Sequence, residues 1–283
     1  MMRSMTDRTK YRPFTGDGSE PVHLTHAPLE LVLCQVRWPA LSNLQTEDQL
    51  RAMAPQIGEQ MIDYPLYSEA RNINYVITPD GITQSDAGSV YQWVSVDEVW
   101  HVSLARQFMT VYCTQYLEGY ESLDARLRSA LELLRTIVRV PLVDRVAVRY
   151  VNRLSTQADM RDLQTLIRPE VLGYCALSQL QPGLSLQNSS NQVTYQIDDA
   201  YLQVRSGVLP PNQSVDPAIP PLPSESWILD LDASREARQI MDTAEVAHTA
   251  SRMSDIAYDY FKFIVTPEFI DRFMRDTPDD HHA

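Results

Sequence analysis

The chain has 283 residues, of which 44% are hydrophobic and 22% are charged. This composition is typical of a globular protein with a sizeable core and excludes wholesale disorder. The formal net charge of −13 opposes non-specific binding to nucleic acid. No apolar run approaches the ~18 residues of a membrane span, and residues 1–18 lack the apolar centre of a signal peptide. Together with three widely spaced cysteines, which argue against a disulfide framework, these features predict a soluble cytoplasmic protein that does not contact a membrane.

The first half of the chain predicts strands and two helices. Residues 1–26 combine basic side chains with two glycines and no apolar period, which predicts a flexible basic arm. A helix is expected to begin at the capping-box pair Thr46 and Gln49, and Pro55 should kink or split it. The other expected elements are a first strand at Leu29–Trp38, a hairpin around Pro79-Asp80-Gly81, β-rich runs at Val90–Val96 and Val99–Cys113, and an amphipathic helix at Tyr120–Val138.

The second half predicts a further antiparallel sheet region and a closing helix. Six prolines between Pro210 and Pro223 exclude a helix or a central strand, so residues 208–224 are expected to form a stiff, Pro-rich loop. The other expected elements are strands at Arg145–Arg153, Leu184–Gln187, Gln192–Ile197, Tyr201–Val208 and Trp227–Leu231, a long helix at Thr243–Ile264, and a short helix that starts at Thr266-Pro267-Glu268.

Strands and helices alternate irregularly and without a βαβ repeat, which predicts an α+β fold. The order of elements suggests two related units, each a mostly antiparallel sheet packed with one or two helices. The predicted organisation is a basic arm at 1–26, an N-terminal unit at 27–155, a C-terminal unit at 156–275 that contains the Pro-rich loop, and a disordered tail at 276–283.

The strand Arg145–Arg153 has two unlike faces. Side chains alternate along a strand, so Arg145, Arg149 and Arg153 share one face. Three guanidinium groups on one face predict either an anion or partner-binding surface, or a set of ion pairs with carboxylates on neighbouring elements. Successive arginines are about 13 Å apart, from four residues at ~3.3 Å each, so one small anion cannot contact all three.

Tyr150 and Asn152 lie on the opposite face of the same strand, where the helix Tyr120–Val138 is expected to pack. A buried Asn needs partners for its amide group, so both residues are expected to have structural roles rather than to bind substrate.

Asp230 and Asp232 flank Leu231 at strand spacing and therefore share a face. This is the arrangement of a paired-carboxylate site for acid–base work, and equally of a solvated strand end or of partners for the arginine face. No sequence signature of a phosphate loop, a nucleophile elbow or a HExxH helix is present. His23 and His26 are three residues apart, but no further ligands follow at a usable spacing, and neither His101 nor His248 has a Cys or His close by in sequence. No metal site and no cofactor are therefore expected.

Taken in order, the motifs resemble those of a sporadically distributed prokaryotic family of uncharacterised proteins. The most specific match is Arg145–Arg153, which fits a pattern Arg-(Val/Leu)-x-(Val/Leu)-Arg-Tyr-(Val/Ile)-Asn-Arg. Ser254 stands where the family pattern has a His. The remaining similar motifs are Ala27-Pro28-Leu29-Glu30, Tyr64-Pro65, Tyr116 to Glu121, Leu229-Asp230-Leu231-Asp232, Phe261, and Thr266-Pro267-Glu268. The resemblance implies no activity or catalytic residue, and the patchy distribution of the family suggests mobile or defence-associated gene neighbourhoods.

The sequence leads to three functional hypotheses. The first is a non-enzymatic binding, scaffold or accessory protein that contacts a protein partner or a second copy of itself. The second is an enzyme or small-anion-binding protein with a cleft between its halves, in which Arg149 or Arg153 holds the anion and Asp230 or Asp232 acts as acid or base. The third is nucleic-acid binding through the arm and the arginine face, which the net charge disfavours.

Overall fold

The structure is a computed structural model that describes residues 11–19, 21–78, 81–116, 119–176 and 186–274, with only the backbone described at 71–87. It confirms the predicted α+β class: helices form 35% and strands 32%, and a large antiparallel sheet packs with several helices. None of the helices in these ranges is long and apolar enough to cross a membrane.

In the described ranges the chain forms eleven strands and seven α-helices. The strands are β1 (Leu29–Arg37), β2 (Leu66–Thr78), β3 (Gly81–Val94), β4 (Trp100–Leu104), β5 (Phe108–Cys113), β6 (Leu142–Val143), β7 (Arg145–Leu154), β8 (Asn191–Ile197), β9 (Ala200–Leu209), β10 (Ser226–Arg235) and β11 (Gln239–Ile240). The helices are α1 (Glu47–Gln60), α2 (Tyr120–Leu133), α3 (Gln157–Arg161), α4 (Leu163–Leu166), α5 (Pro169–Leu172), α6 (Thr243–Ile264) and α7 (Pro267–Met274).

Nine of these strands form one sheet in the order β2-β3-β4-β5-β1-β7-β10-β9-β8. The described registers are antiparallel: for example, Cys34 lies opposite Val111 in β1 and β5, and Val193 lies opposite Val204 in β8 and β9. The strands β6 and β11 pair separately. Strands β2 and β8 therefore form the two edges of the large sheet.

The described residues form two compact units that interleave along the chain. One takes its residues from Met1–Glu30, Arg149–Ala233 and Ser251–Ala283, and the other from Leu31–Val148 and Ser234–Ala250. These differ from the sequential halves that the sequence suggests, because the neighbouring strands β7 and β10 each contribute residues to both units. We call the first the Arg149 unit and the second the Trp38 unit.

Each unit has its own apolar core. In the Trp38 unit, the apolar stripe of α2 is buried, and the Trp38 indole donates a hydrogen bond of 3.0 Å to the carbonyl of Arg106. In the Arg149 unit the core contains Trp227 on β10, Phe269 on α7 and the buried apolar residues of α6 from Met253 to Ile264. Burial of these stripes, which the sequence shows at helical and strand spacing, is the main force that holds each unit together.

Most predicted elements are confirmed, with four differences. Thr46 and Gln49 form the expected capping box, but α1 continues through Pro55 instead of splitting there. The run Val99–Cys113 is two strands, because Ala105–Gln107 turns the chain between β4 and β5. The predicted helix Tyr120–Val138 exists, but its last five residues form a π-helical turn. The predicted strand Leu184–Gln187 is not found in its described part, because Leu186 and Gln187 belong to no strand. The turn residues Pro79-Asp80, residues 184–185 and the tail 276–283 lie outside the described residues.

Part of the predicted basic arm has defined contacts in the structure. Residues 11–19, which we call the N-terminal segment, lie against α6 in the Arg149 unit. The Arg12 guanidinium is buried and bonds both the carboxylate and the carbonyl of Asp255, at 2.9 and 3.0 Å. The composition of these residues predicts a flexible segment. Arg12 and Phe14 nevertheless hold it in place, because they contact residues that are distant in sequence and come close only in the folded chain.

Candidate functional site

Arg149 on β7 is held by carboxylates on two other elements. Its guanidinium binds Asp230 of β10 in a forked arrangement, with Nε at 2.8 Å and Nη2 at 3.0 Å, and its Nη1 lies 2.6 Å from Asp216. Asp230 is 1% exposed and also receives Arg205 Nε of β9 at 3.3 Å. Burial opposes the charged form of Arg149, but the two carboxylates outweigh it and raise the pKa of Arg149 above its usual value.

Arg153, one step further along the same face, binds neutral groups. Its Nε donates to the hydroxyl of Ser226 at 2.9 Å, and its Nη1 and Nη2 donate to the carbonyls of Pro220 and Gln213 at 2.8 and 3.4 Å. Burial lowers the pKa of Arg153, with a smaller opposing effect from Glu30. Arg149 and Arg153 therefore fasten the Pro-rich loop, through Asp216, Gln213 and Pro220, to the face of the sheet.

Arg145 belongs to the Trp38 unit and has its own partners. Its Nη1 donates to Gln35 at 2.9 Å, and its Nε lies 3.4 Å from the exposed carboxylate of Glu236. The three arginines predicted as one face thus each have different partners.

Asp230 and Asp232 differ in environment although they share the spacing predicted for a carboxylate pair. Asp230 is buried in the ion pairs with Arg149 and Arg205, whereas Asp232 is half-buried. Trp227, Leu229 and Leu231 are all buried. The carboxylate of Asp230 is thus engaged by two guanidinium groups.

Tyr150 and Asn152 lie in the Arg149 unit. The hydroxyl of Tyr150 is hydrogen-bonded to that of Ser254 on α6 at 2.6 Å. Asn152 is buried. Ser254 on α6 is therefore a direct contact of Tyr150 on β7.

A buried carboxylate on α6, which the sequence did not single out, holds the N-terminal segment. Asp259 is fully buried and accepts hydrogen bonds from the backbone N–H groups of Phe14, at 2.6 Å, and Thr15, at 3.3 Å, and from the hydroxyl of Thr15. The ring of Phe14 then packs edge-on against Tyr195 and Tyr260, at 5.4 and 5.0 Å between centroids.

Next to this aromatic cluster the Arg149 unit has an open cavity of about 240 Å³. Its walls come from the residues after α4, from β8 and β9, and from the end of α6, and include Tyr195, Tyr260 and Phe263. The guanidinium of Arg168 lies over the Phe263 ring at 4.6 Å, and burial raises the pKa of Tyr260. Arg168 and Glu170 place one positive and one negative charge at the rim.

Strand β8 forms one lip of this cavity and is the edge strand with fully described side chains. Of its seven residues, the five from Gln192 to Gln196 are exposed, including Val193 at 41% and Tyr195 at 37%. Its register with β9 runs without a bulge from Asn191 opposite Ser206 to Ile197 opposite Ala200. The sequence predicted this strand but could not show that it is an edge, because strand order depends on contacts far apart in the chain.

A hydrogen bond of Ser189, two residues before β8, shows which backbone groups of β8 point to β9. The N–H group of Ser189 donates to the carbonyl of Val208, its opposite residue if the β8–β9 register is extended. In an antiparallel pair such bonded positions alternate, so Asn191, Val193, Tyr195 and Ile197 bond β9. The N–H and C=O groups of Gln192, Thr194 and Gln196 point to the open side, where none of the described residues is hydrogen-bonded to them.

No group of three His, Cys, Asp or Glu side chains in the described ranges is arranged to hold a metal ion. His101, for example, contacts the carbonyl of Glu98 and the amide of Gln92 and stacks on Tyr112. Burial lowers the pKa of His101.

Comparison of the chain with protein-family models gave no match, and comparison with curated proteins also gave no match. The functional interpretation therefore depends on the geometry described above.

Proposed function

We propose that this protein is a non-enzymatic binding or scaffold protein that acts through protein–protein contacts, and that it binds by adding a partner strand to the open edge of β8. The observation that carries this proposal is an edge strand of seven residues, five of them exposed, with no ionisable side chain other than Tyr195, no proline and no bulge. Proteins commonly protect sheet edges with charges, prolines, bulges or very short strands, because an unpaired edge is a template for another strand.

The alternative hypothesis is an enzyme or small-anion-binding protein, and the charged side chains that it would use already bind other groups of the protein. Arg149 and Asp230 bind each other, Arg149 also binds Asp216, and Arg153 binds two backbone carbonyls of the Pro-rich loop. An anionic substrate at this face would have to displace these contacts. A strand that adds to β8, in contrast, displaces no hydrogen bond that the described residues make to the outward backbone groups. It gains backbone hydrogen bonds, and alternate side chains give it specificity.

The cytoplasm is the proposed location. Cys34, Cys113 and Cys175 are all free thiols and buried, which suits a reducing compartment. A role as an accessory to a neighbouring effector, in the gene neighbourhoods that the family resemblance suggests, is part of the same proposal.

A site-specific photo-cross-linker tests the proposal in living cells. Thr194, an exposed residue in the middle of β8, is replaced by p-benzoyl-phenylalanine, and in a matched variant Val96, which is 78% exposed in the Trp38 unit, is replaced in the same way. We expect irradiation to give a discrete protein adduct from position 194 and none from position 96. The proposal fails if position 194 gives no adduct or gives the same smear of products as position 96.

A proline variant sharpens the test. Thr194→Pro removes an N–H group that points to the open side and leaves the bonds from β8 to β9 in place. With the cross-linker at Val193, whose side chain lies next to position 194, the added Thr194→Pro change should abolish the adduct while the thermal midpoint stays close to that of the parent. An adduct that persists would show that contact at this surface does not use strand addition.

A further inference from the structure

We propose that the strand that adds to β8 is β8 of a second copy of this chain, so that two copies form one continuous sheet across a two-fold axis. This inference depends on the proposed function and names its partner. The axis is expected at Thr194, because it is the middle residue of Asn191–Ile197 and antiparallel pairing of two full-length copies of the strand places it opposite itself.

In this register the outward N–H and C=O groups of one copy lie opposite those of the other. Thr194 lies opposite Thr194 of the second copy, and Gln192 lies opposite its Gln196. All three outward positions, Gln192, Thr194 and Gln196, then become bonded pairs, which supplies about six backbone hydrogen bonds, two from each of three pairs. A register shifted by one residue would place inward-bonded groups opposite the open ones and lose these bonds.

The side chains match as well. On one face Thr194 meets Thr194, and glutamine meets glutamine on either side, so each polar side chain gains a hydrogen-bonding neighbour. On the other face the exposed Val193 meets Tyr195 of the second copy, which is a β-branched and aromatic pair that stabilises antiparallel sheets. Two contacts of this kind form, one on each side of the axis.

Charge favours this surface over others for self-association. Each chain carries a net charge of −13, so most faces of two copies repel each other. Strand β8 contains no Asp, Glu, Lys or Arg, so its pairing brings no like charges into contact. The remaining long-range repulsion is screened by salt, and added salt should therefore strengthen the dimer rather than weaken it.

Cysteine cross-linking tests the register. In the proposed dimer the Cα atoms at position 194 are about 5.5 Å apart, which a disulfide can span. Thr194→Cys should therefore form a reducible dimer under mild oxidation at least about tenfold faster than Gln192→Cys, whose Cα atoms would be separated along the strands by about 14 Å, from four residues at ~3.4 Å each. Mixing Gln192→Cys with Gln196→Cys should restore cross-linking, because those two positions face each other.

The mass of the unmodified full chain tests the association itself. Light scattering over a wide concentration range should show a monomer–dimer equilibrium for the parent and only monomer for Thr194→Pro. A parent that stays monomeric throughout, or a Thr194→Cys variant that cross-links no faster than Gln192→Cys, overturns the inference. If the photo-cross-linker at 194 then still captures a different protein, the proposed strand addition stands with another partner; if it captures nothing, both proposals fail.

Discussion

The buried ion pair between Arg149 and Asp230 allows a quantitative prediction for Asp230→Asn. The substitution keeps the size of the side chain but removes the negative charge that two guanidinium groups share. Arg149 Nε and Nη2 lose charged partners at 2.8 and 3.0 Å, and Arg205 Nε loses one at 3.3 Å. Breaking one side of a buried ion pair costs roughly 3–5 kcal/mol, because the remaining charge stays buried without compensation.

The environment of Arg149 places the expected cost at the lower end of that range. Its side chain is only 14% exposed, which argues for the full penalty, but Asp216 remains 2.6 Å from Nη1 and keeps one negative charge next to it. We therefore expect Asp230→Asn to lower the free energy of unfolding by about 3 kcal/mol. At ~2–4 °C per kcal/mol for a chain of this size, the thermal midpoint should fall by roughly 6–12 °C.

Urea unfolding followed by circular dichroism measures this free energy directly. Asp232→Asn is the matched control, since it makes the same chemical change on the same strand two residues away, at a half-buried position, and should cost about 1 kcal/mol or less. Equal effects of the two substitutions would refute the assignment of Asp230 as the charge that holds Arg149. A second readout is protease cleavage in the Pro-rich loop, which Asp216→Asn should accelerate, because Asp216 is the carboxylate that ties this loop to Arg149.

Four further predictions concern other parts of the structure. Asp259→Asn should lower the free energy of unfolding by about 1.5–3 kcal/mol and speed proteolysis within the N-terminal segment, because the buried carboxylate is the acceptor for three hydrogen bonds; unchanged cleavage would contradict this docking. Burial raises the pKa of Cys34 to about 12, so folded protein at pH 8 should leave this thiol unmodified by a thiol-specific reagent, whereas urea should make it reactive, as mass spectrometry can show. Gly207→Ala should cost about 1–3 kcal/mol in chemical denaturation, because its Cβ would lie 2.0 Å from a backbone oxygen, whereas Gly18→Ala, which meets no atom within 4 Å, should cost much less. The Lys262 ammonium holds the pKa of Asp17 at about 2, so the stabilisation from Asp17 is present above its usual pKa near 4 and is lost as the pH falls towards 2; the acid-unfolding curve of Asp17→Asn should lack this component.

The elements of the fold follow from local patterns, and these were largely predictable. Apolar spacing in α2 and α6, the capping box at Thr46, the alternation in β9 and the apolar residues of β10 each reflect a few neighbouring residues. The class followed from their order. The break between β4 and β5 was missed because Ala105–Gln107 contains neither glycine nor proline, so the turn depends on pairing between the strands rather than on its own residues.

The partners of the charged residues could only be predicted in part. Spacing alone placed Arg149 and Asp230 on strand faces and left open whether they meet, whereas their contact requires β7 and β10 to be neighbours, 81 residues apart in the chain. The sequence does not indicate that Asp259 is buried, because a single acidic residue in a long helix is usually exposed to solvent. The open edge of β8 is likewise a property of strand order, and no local pattern in Asn191–Ile197 encodes it.

The docking of the N-terminal segment has a consequence for the order in which the chain folds during synthesis. Phe14 and Thr15 leave the ribosome 245 and 244 residues before Asp259, the group that binds their backbone. Residues Leu31–Val148 of the Trp38 unit are made in one stretch and can collapse early, whereas the Arg149 unit joins segments from both ends of the chain. The N-terminal segment, which carries Arg12 and Phe14, therefore has no binding partners during most of translation. It can bind only after α6 has been synthesised and has folded.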